Sequence, residues 1–548
     1  MSAAIRSRFV VVGLLVVAFA LALTSAAKKS PTMDEQNHIA RGAAYLGTGD
    51  PRLSIEHPPL VNVLSTLPAH LLLDLNLPLD EWWEYGEWYH FADNFLWQAN
   101  SCPDRIVFLA RLPIIGLGLV LVALVFRWAE CRWGPWGGLL SAAFCALDPN
   151  ILAHTRLSTT DVGGACLVFL AAYALWRAVR HPSWLRSLGS GLAFGLALSA
   201  KLSNLLFGPI FALAIMADAL AGGRERLGRA VRNLALLALT VLLGLLTVWA
   251  TYGFQIGRLG EAGHFVPAPP YVKGVLAILD FTAGGRPAYL LGQYGQGWWY
   301  YFPVAFAVKT PLATLVALLL ATGESLRRLR QMLADDLFLL TLPVAYFLVS
   351  ITSNLNIGYR HLLPMLPFVA VHVGRLASFP GPLVSLPSPR PYIRRTLAIA
   401  LVIWLALSSL LIYPHFLAFF NPIGGGPENG WRVLADSNID WGQDLKELKA
   451  WMGREGVNYV RLSWFGSAYP EYYSIPHDLL PGLPHGFPAW EQPPFDRNQP
   501  EPGIYVISAT NLLGVPFPDH DLYAWFRSRP PDAKIGYSLF VYEVSADG

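Results

Sequence analysis

Long apolar stretches alternate with short polar connections through the first 413 residues of the chain. Eleven of these stretches approach the length of about 20 residues that an α-helix needs to cross a bilayer. They cover residues 9–27, 106–126, 134–152, 162–176, 187–202, 204–220, 233–252, 302–322, 336–352, 361–378 and 396–413. The pattern therefore predicts a mostly α-helical, polytopic membrane domain over residues 1–413, with about 11 transmembrane helices.

The polar pattern changes after residue 413, where a glycine-rich turn opens a segment too polar to cross a membrane. In chain order the predicted elements are an amphipathic helix at 444–456, strands at 457–466, 503–508 and 533–544, and an irregular Pro-rich stretch at 476–502. We expect Asp440 and Asp444 to cap the start of that helix. Short helices that alternate with strands predict a small α/β domain over residues 414–548.

Composition supports a protein that lies largely in lipid. Charged residues make up 14% of the chain, whereas soluble domains carry roughly 25%. The net charge of +3 gives no reason to expect a nucleic-acid partner. The four cysteines show no CxxC spacing, so neither a disulfide framework nor a zinc cluster is predicted.

Arginine residues concentrate in alternate connections of the predicted helices. They are Arg6 and Arg8; Arg127 and Arg132; Arg177, Arg180 and Arg186; Arg224, Arg226, Arg229 and Arg232; Arg327, Arg328 and Arg330; and Arg375, Arg390, Arg394 and Arg395. The positive-inside rule places these connections and the amino terminus in the cytoplasm. The 28–105 loop, the 253–301 loop and the C-terminal domain are then extracytoplasmic, in a multi-pass protein of the plasma membrane.

The first apolar stretch also bears some likeness to a secretory signal peptide, because small residues follow it at Thr24-Ser25-Ala26-Ala27. Its apolar part exceeds the 7–15 residues usual for such a peptide. We therefore expect a retained helix, and Asp34 lies outside the membrane with either interpretation.

Two adjacent acids, Asp34 and Glu35, stand where the first helix meets the outer aqueous face. An acid there is a candidate for proton transfer at the bilayer surface. Glu35 has a second interpretation, because Thr32 and Glu35 have the spacing of a helix capping box. Both interpretations of Glu35 stay open from the sequence.

His38 follows Asp34 by one helical turn on the same face, and Glu56 and His57 lie further along the same loop. Asp34, His38, Glu56 and His57 have the side chains to bind a divalent metal, but their spacing does not require one. No cofactor is certain, and His57, which precedes two prolines, has an alternative role in stiffening the loop.

Charged residues also occur inside or at the ends of apolar stretches, where burial in lipid makes them functional candidates. On the predicted topology they all lie near the outer face: Arg111, Arg156, Asp161, Lys201, Lys309, Arg360 and His361. Basic side chains at this depth suit a lipid phosphate, which arginine contacts with two parallel hydrogen bonds and lysine as a point charge. The alternative for each basic residue is a side chain that reaches back to the interface.

Several motifs together resemble one group of membrane enzymes. The segment from MDEQNH to EHPPL is similar to the first outer loop of the GT-C glycosyltransferases, in particular the protein O-mannosyltransferase and aminoarabinose-transferase group. FLARLPIIGLG, HTRLSTTD and SAKLSN resemble later segments of those enzymes, in the same order. NPIGGGPENGWRVLADSNIDWGQDL looks like the tail of bacterial phospholipid carrier-dependent glycosyltransferases.

This resemblance implies transfer of a sugar from a polyprenyl-phosphate carrier to a hydroxyl of a protein, lipid or glycan acceptor at the outer face, with inversion of the anomeric centre. Asp34 is the expected general base, and Glu35 is expected to position the acceptor. The expected contacts to the lipid phosphate are Arg111, Lys201, Lys309, Arg360 and His361, supported by Glu56, His57, Arg156 and Asp161.

A transporter or flippase of lipid-linked sugars is the alternative, since it needs the same phosphate contacts without the chemistry. Such proteins usually show paired repeats and broken helices near the bilayer midplane. The sequence predicts neither feature, so it favours the enzyme.

Overall fold

The fold is taken from a computed structural model, which describes residues 3–220, 226–260, 263–327, 334–377, 391–482 and 495–545. Arg224, Arg328, Arg330 and Arg390, and residues 483–494 of the Pro-rich stretch, lie outside the described residues.

Helices dominate the first part of the chain. They are Ala3–Lys28, Glu35–Thr48, Pro59–Leu72, Glu81–Tyr85, Trp88–Asp93, Pro103–Ala146, Pro149–Thr155, Thr160–Arg180, Trp184–Ala200, Phe207–Leu220, Arg226–Thr251, Pro269–Gly284, Tyr301–Lys309, Leu312–Arg327, Ala334–Ile351, Leu366–Val373 and Pro391–Ile412. Further along the chain are Gly426–Asn429, Leu445–Glu455, Ala509–Leu512 and Ala524–Arg527. All eleven predicted apolar stretches fall mainly in helical structure.

Fewer single helices of membrane length are found than the sequence predicted. Within the described residues, six helices are long and apolar enough to cross a membrane, or seven if one bent pair counts as a single span. One reason is that the stretches at 106–126 and 134–152 share the helix Pro103–Ala146, which is kinked at Gly134 (φ 76°). Another is that residues 361–377, the described part of the stretch at 361–378, consist of short 3₁₀ and α segments. The protein is a multi-pass membrane protein, but about 11 spans are not confirmed.

The bent pair is Tyr301–Lys309 and Leu312–Arg327, whose axes differ by 109°. Thr310 between them is extended (φ −72°, ψ 131°), as expected for a residue that precedes a proline. The sequence interpretation expected no broken helix, and on this point it was wrong.

Aromatic rings and glycines pack the helices of the membrane part. Trp128, Phe169 and Phe368 form one aromatic cluster, with ring centroids 4.9–6.0 Å apart. At Gly195 a Cβ would lie 2.6 Å from the Gly244 carbonyl oxygen. Glycine is therefore required where the helices Trp184–Ala200 and Arg226–Thr251 approach closely.

Three of the arginine-rich connections meet at one end of the helices. Arg132 contacts Asp335 and Asp336 at 2.5 and 2.9 Å, Arg180 also pairs with Asp335, and Arg375 lies 3.5 Å from Asp336. Connections predicted to share the cytoplasmic side are thus adjacent in space. Which side of the membrane they face stays a prediction.

The strands are Ile256–Arg258, Phe265–Pro267, Ala288–Leu290, Gln293–Gly295, Val460–Ser463, His477–Leu479, Gly503–Ser508, Ala533–Ile535 and Leu539–Val544. The first four form two hairpins, and the other five form one mixed sheet with Val460–Ser463 and Gly503–Ser508 at its centre, paired in parallel. The stretch predicted as one strand at 533–544 is an antiparallel pair, because the chain turns at Gly536 (φ 62°).

The C-terminal part is joined to the first outer loop through buried polar contacts. Lys29 Nζ lies 2.5 Å from Asp444 Oδ1, and both side chains are fully buried. Ser538 Oγ donates to the other Asp444 oxygen at 2.5 Å. The backbone N–H of Leu445, at the helix start, donates to Ser30 Oγ at 3.0 Å. Asp444 makes no side-chain capping bond, so its predicted role as a cap was wrong.

Candidate active site

The central contact of the site joins residues that are far apart in the chain. Arg360 Nη1 donates to Asp34 Oδ2 at 3.0 Å, and 34% of the Asp34 side chain is exposed. Asp34 immediately precedes the helix Glu35–Thr48, and Arg360 lies on the 3₁₀ turn Tyr359–Met365. The predicted base therefore lies next to one of the predicted phosphate contacts.

A second ion pair lies beside the first. Lys201 Nζ donates to Asp161 Oδ1 at 2.5 Å, and Thr159 Oγ1 donates to the other Asp161 oxygen at 3.2 Å. Asp161 also interacts electrostatically with Arg360. Asp34, Asp161, Lys201 and Arg360 thus form one charged cluster, which we call the carboxylate–cation cluster.

Two histidines of the first outer loop border this cluster. The rings of His38 and His57 are 4.7 Å apart and edge to face, and His38 Nδ1 lies 3.0 Å from Asn62 Oδ1. Burial lowers the pKa of His38 to about 4 and the pKa of His57 well below its ordinary value. Both rings are therefore neutral at neutral pH and add no positive charge.

Three buried polar atoms near the cluster have no hydrogen-bond partner among the described residues. They are Arg360 Nε, His361 Nε2 and His154 Nδ1. Buried polar atoms are nearly always paired with protein, water or ligand. The neighbourhood of the cluster is thus suited to a polar ligand.

Arg111 and Glu35 contact each other, although the sequence predicted a separate role for each. Arg111 Nη1 donates to the carbonyls of Ala26 and Lys29, Nη2 donates to that of Ser30, and the rest of the guanidinium pairs with Glu35. All five N–H donors of a guanidinium are thereby used within the protein. The structure therefore shows Arg111 in a buried ion pair with Glu35, and its predicted contact with a phosphate stays a prediction.

Glu35 is also fully buried, and it accepts from the backbone N–H groups of Thr32 and Ser158, both at 2.8 Å. Burial alone would raise its pKa, but Arg111 and these donors hold the pKa of Glu35 below its ordinary value. The Thr32 contact matches the Glu35 half of the predicted capping box, although Asp34 occupies the N-cap position of the helix. These contacts of Glu35 are all with the protein, as the structural interpretation expects.

Lys309 is likewise committed to the protein. Its Nζ donates to the carbonyls of Leu417 and Asn438 at 2.8 and 2.5 Å and lies over the Phe420 ring. The side chain is buried at the helix bend. Lys309 therefore ties the bent helix to the segment that follows the last apolar helix, and its contacts do not match the predicted phosphate role.

Arg156 and Glu56, both predicted as supporting residues, lie outside the two ion pairs. Arg156 is fully buried, and its guanidinium nitrogens have no hydrogen-bond partner in the described part of the chain. Burial, with the nearby Arg111, lowers the pKa of Arg156 to about 10. Glu56 is exposed and pairs with Arg41 at 3.1 Å.

The side chains proposed for a metal do not gather into a binding group. Among the described residues, no group of three or more His, Cys, Asp or Glu side chains is placed to hold a metal ion. Glu56 is turned toward Arg41, and one His38 nitrogen is occupied by Asn62.

Sequence reasoning missed Trp441 and His154. The Trp441 ring lies 4.2 Å from the Arg360 guanidinium carbon, and the His154 ring lies 6.3 Å from the Trp441 ring. Signals were present for both residues, since Trp441 lies in the dense polar and aromatic stretch ADSNIDWGQD and His154 opens the HTRLSTTD motif.

The comparisons with known proteins bear on this site and fold. Residues 106–252 match the sequence model of the dolichyl-phosphate-mannose-protein mannosyltransferase family. That segment contains Arg111, Arg156, Asp161 and Lys201, but neither Asp34 nor Arg360. No curated protein sequence matches the chain.

Solved structures show a similar fold. The fold is similar to that of ArnT from Cupriavidus metallidurans bound to undecaprenyl phosphate, with a TM-score of 0.51, 13% identity and coverage of 98% of each chain. The apo state of the same ArnT has a TM-score of 0.47, 13% identity and the same coverage. The apo oligosaccharyltransferase of Archaeoglobus fulgidus has a TM-score of 0.44 and 12% identity, covering 73% of this chain and 55% of the other. The family-model match over residues 106–252 and the ArnT-like fold together confirm the resemblance to GT-C glycosyltransferases.

Proposed function

We propose that the protein transfers a sugar from a polyprenyl-phosphate carrier to an acceptor hydroxyl at the outer face of the membrane. The observation that carries this proposal is the carboxylate–cation cluster, in which Asp34 lies against Arg360 and beside the Lys201–Asp161 pair. A base and two cations in one place are the groups that displacement of a phosphate from a sugar requires. The GT-C fold supports the same class of reaction.

In the proposed reaction, the acceptor oxygen attacks the anomeric carbon while Asp34 takes the hydroxyl proton. The bond between that carbon and the carrier phosphate breaks, and polyprenyl phosphate leaves with the bonding electrons. General-base catalysis of this kind typically contributes 10²–10⁴-fold. A single displacement inverts the anomeric centre.

Lys201 and Arg360 stabilise the charge that develops on the departing phosphate. The unpartnered Nε of Arg360 and Nε2 of His361 provide further donors or acceptors beside it. Asp161 holds the Lys201 ammonium. Arg111 and Lys309 are left out of the phosphate contacts, because their donors are used within the protein.

The orientation of the protein belongs to this proposal. With the arginine-rich end in the cytoplasm, the cluster lies at the outer face of the plasma membrane, and so does the part of the chain after residue 413. A donor carried by lipid would reach the cluster from within the bilayer.

The broken helix at Thr310 is a specific observation in favour of the alternative, a transporter of lipid-linked sugars. The contacts of Lys309 argue that this bend is fixed by the protein itself.

The two candidates differ in their product. Proteoliposomes containing the full chain would be given radiolabelled polyprenyl-phosphate sugars and an envelope extract as the acceptor source. The enzyme releases unglycosylated polyprenyl phosphate and labels the acceptor. Labelled lipid that changes leaflet without losing its sugar would contradict the proposal and favour the transporter.

A further inference from the structure

Residues 436–444, which we call the 436–444 segment, contact the backbone beside both members of the Asp34–Arg360 pair. The N–H of Met33 donates to the Trp441 carbonyl at 2.9 Å. The N–H of Tyr359 donates to Asn438 Oδ1, also at 2.9 Å. Met33 and Tyr359 directly precede Asp34 and Arg360, so one short segment sets the separation of the two charged residues.

Trp441 adds a direct contact to the cation. Its side chain is 2% exposed, and its ring lies 4.2 Å from the Arg360 guanidinium carbon. Tryptophan is the strongest of the aromatic partners for a cation, and the attraction increases when water is excluded. The contact therefore holds the guanidinium where Nη1 reaches Asp34.

The 436–444 segment is itself fixed on several sides. The N–H of Trp441 donates to Gln443 Oε1 at 2.8 Å, and Asn438 Nδ2 donates to the Tyr301 hydroxyl at 3.1 Å. The N–H of Thr510, next to the central sheet, donates to Asp440 Oδ2 at 2.9 Å. The 436–444 segment, which carries Trp441, is consequently held by both the membrane part and the C-terminal part.

We infer that Trp441 is a positioning residue, which holds the Arg360 guanidinium so that one edge pairs with Asp34 while the remaining donors serve the carrier phosphate. This inference rests on the proposed function. Trp441 acts through Arg360 and contributes no atom to the reaction. The C-terminal part thus takes part in the site through Trp441.

The test uses a graded series, Trp441→Tyr, Trp441→Phe and Trp441→Leu, in the full chain purified in detergent. The probe is undecaprenyl phosphate, and both its dissociation constant and the melting temperature of each variant are measured. We expect affinity to fall in the order Trp, Tyr, Phe, Leu, with a loss of about 10-fold for leucine. In an Arg360→Gln background the same series should have no effect on affinity.

Trp431→Leu is the matched control. Trp431 is also buried, and its ring lies 5.0 Å from the Arg432 guanidinium carbon, outside the site. Its replacement should lower the melting temperature without changing affinity. If Trp441→Leu does not fold, the tyrosine and phenylalanine variants still test the order.

Two outcomes are distinguishable. Normal affinity throughout the Trp441 series, together with a loss in Arg360→Gln, would overturn the inference and leave the proposed function intact. An Arg360→Gln protein that binds undecaprenyl phosphate as well as the wild type would overturn the phosphate role itself, and the positioning role with it.

Discussion

Arg111 and Glu35 form a buried two-point ion pair, with Nε 2.8 Å from Oε1 and Nη2 2.7 Å from Oε2. The pair joins the long helix Pro103–Ala146 to the start of the first outer loop, directly beside Asp34. The stability of that junction, and with it the position of Asp34, depends on both partners.

Arg111→Ala should therefore act on stability first. It leaves the Glu35 carboxylate buried without its charge partner, at a cost of about 3–5 kcal/mol. Arg111→Lys should restore little, because an ammonium cannot reproduce the five donors of the guanidinium. Thermal unfolding in detergent measures both. A stable Arg111→Ala protein that has lost only donor affinity would show that Arg111 contacts the phosphate after all.

Asp34→Asn keeps the size of the side chain and removes its ability to take a proton. Turnover should fall by about 10²–10⁴-fold, while undecaprenyl phosphate still binds. Initial rates at saturating acceptor are the measurement. Asp50→Asn is the control, because Asp50 lies in the same loop, pairs with Arg52 and has a side chain of similar exposure, 35% against 34%. Near-normal turnover in Asp34→Asn would exclude Asp34 as the base.

Arg360→Gln and Lys201→Gln should each weaken binding of undecaprenyl phosphate. A hydrogen bond to a charged group contributes about 1.5–3 kcal/mol, which is a loss of about 10- to 150-fold. If both cations contact one phosphate, the double variant should lose less than the sum of the single losses. Lys273→Gln, at an exposed lysine of the predicted 253–301 loop, is the control. Strict additivity would place the two cations on separate ligands.

The stability of the C-terminal part should fall as pH rises. Burial raises the pKa of Asp440 to about 7, against about 3.9 in an unfolded chain. Between these values the folded protein retains a proton that the unfolded chain has lost, so folding weakens with rising pH. The loss is at most about 1.4 kcal/mol per pH unit.

Melting temperatures from about pH 5 to about pH 8 measure this dependence. Asp440→Asn should flatten the profile, although Asp436, whose pKa burial raises to about 6, contributes with the same sign. Asp478→Asn, at an exposed position, should leave the slope unchanged. A wild-type protein that becomes more stable over this range would contradict the raised pKa of Asp440. An inactive but well-folded Asp440→Ala protein would show that the C-terminal part supplies a catalytic group.

The orientation is tested by fused reporters. A reporter after Asn429 should behave as extracytoplasmic, and one after Arg328, which lies outside the described residues, as cytoplasmic, because the arginine-rich connections lie inside. A cytoplasmic signal from the Asn429 fusion would mean that the number of crossings differs from the predicted topology by an odd number.

The sequence predicts helices well in this protein, because an apolar stretch in lipid must satisfy its own backbone hydrogen bonds. It does not by itself determine how many of them cross the membrane. Whether 361–378 forms a span or short pieces that pack inside the protein depends on neighbours distant in the chain. The bend at Thr310 follows from Pro311, because the residue before a proline is disfavoured in the helical conformation. The sequence therefore contains a signal for this break, although it lies inside an apolar stretch.

The charged residues of the site are likewise predicted only in part from the sequence. Asp34, Asp161, Lys201 and Arg360 stand out as charges beside apolar sequence, and the structure brings them together. Arg111 stands out equally, yet its acid is 76 residues away in the chain. Local pattern identifies a buried charge, but only the fold determines whether its partner is the protein or a ligand.

The buried contact between Lys29 and Asp444 joins residues 415 positions apart. Lys29 therefore has no counter-ion until the ribosome has nearly finished the chain, which takes roughly 20–80 s at usual rates of synthesis. The first outer loop, which carries Asp34, is made early and lacks this contact during that time. Chains that end before residue 444 therefore keep Asp34 but lack this buried link between the first outer loop and the C-terminal part.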